Sequence, residues 1–141
     1  MNLDQISRPQ ASAHSHRILV AEDDAGVRRL NTDALTGSGY HVDAAEDGAV
    51  AWDSLQTKAY RLLITDHNMP RMSGIELIKK MRTSSMTLPV ILVSGEMPTT
   101  ELEKFSWLRI SATLPKPYVI TDLLKIVSDV LRMAADASER T

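Results

Sequence analysis

The stretch Arg17-Ile18-Leu19-Val20-Ala21-Glu22-Asp23-Asp24 joins four consecutive apolar residues to three carboxylates. An apolar run without polar alternation indicates a strand that is buried on both faces, as in the centre of a parallel sheet. Two further runs have the same character, Leu62-Leu63-Ile64 and Val90-Ile91-Leu92-Val93. Together they predict a parallel sheet whose central strands are covered by helices on both sides.

Weaker runs at 41–45 and 110–114 predict two outer strands, and helical patterns separate all five. Ser73 and Glu76 form a capping box before apolar residues at helical spacing, and Thr100 and Glu103 indicate the same motif one helix later. The remaining helices are indicated by three apolar stripes: Val27, Leu30 and Ala34; Ala51 and Leu55 after Asp47; and Leu124, Val127 and Leu131 after Thr121, with fraying from Ala134 onward.

Strand and helix therefore alternate five times along the chain. Such alternation with short loops implies right-handed βαβ units and an α/β fold with a doubly wound, five-stranded parallel sheet. The predicted strand order is 2-1-3-4-5, which is flavodoxin-like. In this architecture ligands bind beyond the carboxyl ends of the strands, at the switch point between strands 1 and 3. The predicted domain covers residues 17–134, with flexible tails at 1–16 and 135–141.

The composition excludes several classes of function. With 141 residues, of which 43% are hydrophobic and 24% charged, the chain fits one soluble globular domain. It has no cysteine, so disulfides and thiolate metal sites are excluded and the expected compartment is the cytoplasm. A net charge of −2 without a Lys/Arg cluster argues against nucleic-acid binding. No apolar stretch approaches the ~20 residues of a membrane span, so no membrane contact is expected.

Charged and hydroxyl side chains follow the predicted strands at their carboxyl ends. Glu22 and Asp23 follow the first strand, Asp66 the third, Ser94 the fourth and Lys116 the fifth. Clustered carboxylates repel phosphate but suit a hard cation such as Mg²⁺, and the lysine supplies an opposing charge. Each position alone has an ordinary explanation, such as a helix cap, a turn or a surface lysine. Their joint placement at one sheet edge favours a functional site.

These segments resemble the response regulator receiver family. The resemblance runs from about Arg17 to Met133 and is carried by four motifs in family-like order: 17–24, 63–70 followed by Met72-Ser73-Gly74, 90–95 and Pro115-Lys116-Pro117. It implies a stand-alone, chemotaxis-type signalling domain that accepts a phosphoryl group from a sensor histidine kinase or a histidine phosphotransfer protein in a phosphorelay. Output would then pass to a downstream protein by direct contact. No enzymatic activity is implied beyond the domain's own phosphorylation and dephosphorylation.

The resemblance also assigns a metal site. It implies that Asp66 is the phosphorylated residue and a ligand of Mg²⁺, and that Asp23 is a direct ligand. Glu22 would act largely through metal-bound water, and Asn68 would contribute its backbone carbonyl. General chemistry agrees with this assignment. A carboxylate that attacks a phosphoryl group brings two anions together beside other carboxylates, and Mg²⁺ and Lys116 would neutralise that negative charge.

On the phosphoryl side, the resemblance implies that the Ser94 hydroxyl binds a phosphoryl oxygen. Lys116 would pair first with the acceptor carboxylate and then with the phosphoryl group, and its bond to Pro117 is expected to be cis. Asn68 and Glu96 lie two residues beyond the acceptor and the hydroxyl, respectively. Both are polar and are expected to admit a hydrolytic water, which predicts a short-lived phosphoryl group.

The sequence departs from the family pattern at Thr113, where most members carry Tyr or Phe. A small polar side chain cannot act as an aromatic switch, so output through the fourth helix and fifth strand is expected to differ. Pro115 within the fifth strand fits only a sheet edge. Two alternatives stay open, a phosphate sink and a pseudo-receiver that binds a partner without phosphorylation. A flavodoxin-like electron carrier is disfavoured, because the loop after the first strand is acidic.

Overall fold

The structure, a computed structural model, describes residues 16–140 of the chain. Its five strands are β1 (Arg17–Ala21), β2 (His41–Ala45), β3 (Leu62–Asp66), β4 (Val90–Ser94) and β5 (Ala112–Pro115). All neighbouring pairs are parallel, and the order across the sheet is β2-β1-β3-β4-β5. The predicted fold class and strand order are confirmed. Because β5 is an edge strand, Pro115 removes no hydrogen bond that a further strand would need.

Five helices connect and follow the strands: α1 (Ala25–Gly37), α2 (Gly48–Thr57), α3 (Gly74–Thr83), α4 (Thr99–Lys104) and α5 (Ile120–Arg140). A short 3-10 turn at Ser106–Leu108 follows α4. Helix α5 extends to Arg140, so the segment predicted to fray after Ala134 is helical that far. The predicted N-terminal tail lies outside the described residues, apart from His16. None of the helices within residues 16–140 combines the length and apolar character that crossing a bilayer requires.

The core consists of two apolar layers on opposite faces of the sheet. Every residue of β3 and β4 is buried, which confirms the burial on both faces that the apolar runs predicted. Leu19 and Leu63 pack in one layer with α2 and α3, whereas Ile18 and Ile64 pack in the other with α1 and α5. Alternate residues of a strand thus serve opposite layers. The two layers hold the carboxyl ends of the strands at one common edge.

Capping interactions attach three helices to that edge. Asp24 and Asp47 each accept a hydrogen bond from the backbone amide three residues further on, at 2.9 Å, and so cap α1 and α2. Ser73 and Glu76 form the predicted capping box of α3, with hydrogen bonds of 2.8 and 3.1 Å. The start of each of these helices is therefore fixed relative to the strand that precedes it.

Helix α4 differs from its predicted form. The expected capping box at Thr100 is wrong, because the helix begins at Thr99 with Pro98 as its N-cap residue. Thr100 consequently lies inside the first turn, where its side chain cannot cap the helix. Within the described part of the chain, no side chain caps α4 and none of its six residues is buried. Little apolar burial therefore holds α4 to the sheet.

The buried face of α1 is rotated relative to the face that Val27, Leu30 and Ala34 predicted. Its buried residues are Asn31 and Leu35, whereas Leu30 is 56% exposed. Apolar periodicity misplaced this face because a buried asparagine contributes nothing to an apolar pattern. A polar residue at the centre of a buried face requires hydrogen-bond partners, and the structure provides them.

Candidate functional site

The carboxylates predicted to act together meet at the carboxyl end of the sheet. Glu22 and Asp23 follow β1 directly, and Asp66 is the last residue of the neighbouring strand β3. One carboxylate oxygen from each of the three lies within 4.8 Å of the others. Glu22 and Asp66 are buried and Asp23 is exposed. Since Asp24 caps α1, the acidic run is divided between the carboxylate cluster and a helix cap.

Lys116 lies between two of these carboxylates. Its Nζ is 2.9 Å from Oδ1 of Asp66 and 3.3 Å from Oε1 of Glu22. The backbone amide of Lys116 donates to the carbonyl of Ser94 at 2.9 Å, which joins the ends of β4 and β5. The peptide bond between Lys116 and Pro117 is cis, as expected. The structure therefore brings the ammonium of Lys116 into contact with Asp66, the predicted phosphoacceptor.

Burial dominates the electrostatics of the cluster. It raises the pKa of Asp66 above its ordinary value, and the charge of Asp23 adds to this effect while Lys116 opposes it. Burial likewise raises the pKa of Glu22. Burial alone would lower the pKa of Lys116, but the hydrogen bond and charge of Asp66, together with Glu22, outweigh it and raise that pKa. One lysine thus leaves the three carboxylates with an excess of negative charge.

Ser94 ends β4 at the same edge, and its hydroxyl is engaged by its own loop. Its Oγ donates to the carbonyl of Glu96 at 2.7 Å and accepts from the Glu96 amide at 3.1 Å. The side chain of Glu96 is itself exposed. A contact between Ser94 and a phosphoryl group on Asp66 would require the hydroxyl to leave the Glu96 carbonyl. The sequence placed Ser94 at the correct edge and carried no signal for this bond.

Comparison with known proteins identifies the family of this chain. Residues 18–128 match the response regulator receiver domain. The chain belongs to the response regulator receiver domain family. Such receivers act in two-component signalling, where they interact with histidine kinases or phosphotransfer proteins.

Individual relatives agree with this assignment. The receiver is 35% identical over 115 residues to the response regulator receiver protein CpdR of Brucella abortus (strain 2308), covering 82% of this chain and 96% of CpdR. It is 32% identical to the transcriptional regulatory protein TctD of Salmonella typhimurium (strain SL1344), covering 84% of this chain and about half, 53%, of TctD. The structure of TrrA from Thermotoga maritima in complex with Mg²⁺-BeF superposes with a TM-score of 0.72 at 28% identity, covering 82% of this chain and 98% of TrrA.

The acidic cluster of the receiver fits a hard divalent cation. Its three residues offer carboxylate oxygens only, which Mg²⁺ prefers over nitrogen or sulfur. Burial disfavours the ionised forms of Asp66 and Glu22 and so raises their pKa values, and a bound cation would offset that cost. Asn68 lies in the loop directly after β3, two residues beyond Asp66, and its side chain is exposed. The donor set is therefore compatible with the Mg²⁺ site that the sequence predicted.

Thr113 is exposed on β5 beside a small groove of about 260 Å³. The other residues that line this groove come from α4, the turn after it and the loop that leads to β5: Leu102, Phe105, Ser106, Leu108, Arg109 and Ile110. The Phe105 ring lies under the ammonium of Lys79, 3.9 Å from the ring centroid, and so contacts α3. The groove at the usual aromatic position is thus bordered by a weakly anchored helix.

Sequence reasoning missed two sets of side-chain contacts near the site. Arg28 on α1 donates through Nη1 to the carbonyls of Glu22 and Asp23, at 2.9 and 3.4 Å. Asn31, one turn later on α1, is hydrogen-bonded to Tyr118 of the loop after β5. An arginine and an asparagine in a helix have no periodic signature, so only the folded arrangement reveals these contacts.

Proposed function

We propose that this receiver accepts a phosphoryl group on Asp66 from a sensor histidine kinase or a histidine phosphotransfer protein, and that it signals through contact with another protein. The proposal rests on the position of Asp66, which is buried at the end of β3, clustered with Glu22 and Asp23 and 2.9 Å from Lys116. Phosphoryl transfer requires mainly positioning and charge stabilisation, and this arrangement supports both.

In the proposed step, one carboxylate oxygen of Asp66 forms a bond to phosphorus as the bond from phosphorus to the donor breaks. The donor, a phosphohistidine or acetyl phosphate, leaves as imidazole or acetate with the electron pair of the broken bond. Lys116 holds Oδ1 of Asp66, which leaves the second oxygen for the attack. Its ammonium also reduces the repulsion between the two anions, which is about 1–4 kcal/mol per pair at ~4 Å.

Bound Mg²⁺ would supply positive charge for the phosphoryl oxygens in this site. Asp23 and Asp66 would hold the ion through their carboxylates, Asn68 through its backbone carbonyl and Glu22 through water. The exposed side chains of Asn68 and Glu96 support the further proposal that both admit the water that hydrolyses the phosphoryl group.

The first test is phosphorylation by a small donor with and without metal. Incubation with acetyl phosphate and Mg²⁺ is expected to add one phosphoryl group per chain, measured by intact-protein mass spectrometry. Removal of the metal with EDTA should lower the rate by about 100-fold or more, because the lost charge stabilisation amounts to several kcal/mol.

Two outcomes would contradict these expectations. If the mass stays unchanged in Mg²⁺, the receiver does not accept phosphoryl groups, and a phosphorylation-independent interaction module becomes the better interpretation. Labelling that proceeds equally well in EDTA would remove the metal from the reaction.

Signal output is expected to begin at Ser94. A hydrogen bond from the Ser94 hydroxyl to a phosphoryl oxygen would replace its hydrogen bond to the Glu96 carbonyl and so free the loop that leads to α4. None of the six residues of α4, Thr99–Lys104, is buried, so this helix should respond to the change. In amide NMR spectra, beryllofluoride with Mg²⁺ should shift resonances of α4 and β5 in the parent receiver, and these remote shifts should be lost in Ser94→Ala.

Ser128→Ala, an exposed change on α5, is the matched control and should retain the remote shifts. Shifts in the parent that stay confined to the residues around Asp66 would contradict output through α4 and would favour the phosphate sink. Equal remote shifts in Ser94→Ala would show that the hydroxyl is not the trigger.

A further inference from the structure

Helix α1 and the loop after β5 are joined by a pair of hydrogen bonds between side chains. Nδ2 of Asn31 donates to the Tyr118 hydroxyl at 2.7 Å, and that hydroxyl donates to Oδ1 of Asn31 at 3.0 Å. Asn31 is 3% exposed, so both polar atoms of its side-chain amide lie away from solvent. The pair thus satisfies a buried amide with one partner that lies 87 residues away in the chain.

Both ends of this link lie close to the acidic cluster. Tyr118 comes two residues after Lys116, and burial raises the pKa of its hydroxyl while the nearby charges of Glu22 and Lys116 also act on it. Asn31 lies one turn after Arg28, which donates to the Glu22 carbonyl at 2.9 Å. Helix α1 is therefore attached to the acidic segment, and Tyr118 attaches the lysine-bearing loop to the same helix.

Side-chain packing covers this contact only in part. A groove of about 440 Å³ separates α1 from the loop and is lined mainly by apolar side chains: Val27, Leu30, Pro117 and Ile120, beside Lys116 and the hydrogen-bonded pair. Leu30 is 56% exposed at one rim of this groove. Where packing is incomplete, a hydrogen-bonded pair contributes a larger share of what fixes the loop.

We propose that Asn31 and Tyr118 form a positioning pair that holds Lys116 between Glu22 and Asp66 during phosphoryl transfer. This inference rests on the proposed function of Asp66. Neither residue contacts the reacting atoms, and both act through the ammonium of Lys116. The side chain of Lys116 is long and flexible, so the position of its ammonium depends on where the loop holds its backbone. Displacement of a reactive group by 1 Å can cost roughly 100-fold in rate.

The test is the rate of Asp66 phosphorylation by acetyl phosphate at saturating Mg²⁺. Tyr118→Phe keeps the ring and removes only the hydroxyl. It should lower the rate by about 5- to 30-fold, which is less than the roughly 100-fold loss expected for a full 1 Å displacement. Asn31→Leu should have a similar effect. Because the two residues act as one unit, the double variant should be no slower than either single variant. The control Tyr40→Phe, whose hydroxyl makes no hydrogen bond within residues 16–137, should leave the rate unchanged.

Thermal unfolding separates positioning from general stability. The single variants leave a polar partner buried alone and should lower Tm, whereas the double variant removes both partners and should regain most of that loss. Its phosphorylation rate should nevertheless stay low. A rate that recovers together with Tm would overturn the proposal, since the pair would then be structural only.

A second arm uses Lys116→Ala. If the pair acts through Lys116, then adding Tyr118→Phe should not lower the residual rate of that variant, followed over long incubations. A further decrease of 5-fold or more in that background would also overturn the proposal. Failure of the proposed function is distinguishable from both results, because the unsubstituted receiver would then show no phosphorylation at all.

Discussion

Asp66→Asn should abolish phosphorylation by acetyl phosphate, with a fall in rate on the order of 10³-fold or more, as expected when the nucleophile of a covalent step is removed. The carboxamide has the shape of the carboxylate and can still accept a hydrogen bond from Lys116. It lacks the negative charge and the nucleophilic oxygen that attack phosphorus. The measurement is intact-protein mass spectrometry after incubation with acetyl phosphate and Mg²⁺, which should show no added phosphoryl group.

Asp53→Asn provides the matched control, because Asp53 is exposed on α2 and the same chemical change there should leave labelling intact. Labelling of the Asp66→Asn variant at the parent rate would place the acceptor on another side chain. Peptide mapping would then decide between the neighbouring carboxylates Glu22 and Asp23.

The substitution Asp66→Asn should also have a pH-dependent effect on stability. Burial raises the pKa of Asp66 in the folded protein, so ionisation of this group costs folding free energy. The folded protein therefore loses stability as the pH rises from the unfolded value of 3.8 through the raised folded pKa. Asparagine does not ionise, so the variant should be more stable than the parent at pH 7, and the difference should disappear below the unfolded value.

Local sequence patterns were sufficient to predict the sheet and the edge at which the site lies. The runs at Ile18, Leu62 and Val90 are apolar on consecutive residues because the central strands are covered on both sides. Alternation with helices then predicted a doubly wound parallel sheet, and the rule for carboxyl ends placed Asp66 and Lys116 at one edge. Both the burial and the edge follow from period and order along the chain, which a sequence displays directly.

Contacts between side chains distant in sequence were not predictable. The bond between Asn31 and Tyr118 depends on how α1 packs beside the loop after β5, and neither residue type signals such a partner. The Ser94 hydroxyl could donate to the Glu96 carbonyl of its own loop or to an incoming phosphoryl group. The sequence does not indicate that it donates to the Glu96 carbonyl. Thr100 resembled a cap because its spacing to Glu103 is correct, yet the N-cap is Pro98, two residues earlier.

The second large effect is expected at Gly74, the buried first residue of α3. A Cβ built on Gly74 would lie 2.5 Å from the carbonyl oxygen of Asp66, and 3.0 Å from both Cα of His67 and Cδ1 of Leu92. Two of these atoms belong to the backbone, so an added methyl group can be accommodated only if the loop between β3 and α3 shifts. Gly74→Ala should therefore lower the free energy of unfolding by about 2–4 kcal/mol, as measured by urea denaturation.

Gly37→Ala tests whether that loss comes from the crowded position and not from the substitution itself. Apart from the chain neighbours of Gly37 and the backbone of its own helix, no described atom lies within 4 Å of a Cβ built on this last residue of α1. The backbone of Gly37 is also outside the left-handed region. Alanine there should raise the free energy of unfolding by about 0.4–1 kcal/mol, because it restricts the unfolded chain. Similar losses for both variants would contradict the close approach at Gly74.

The clash at Gly74 should also affect the chemistry, because the atom closest to the added Cβ is the carbonyl oxygen of Asp66, the proposed acceptor. The Gly74 amide donates to the His67 carbonyl at 2.8 Å, so α3 and the end of β3 shift together. At temperatures where Gly74→Ala remains folded, its rate of phosphorylation by acetyl phosphate should fall by about 10-fold or more, since small displacements of a reacting group are costly. A parent-like rate in the folded variant would show that the loop adjusts without moving the Asp66 carboxylate relative to Lys116.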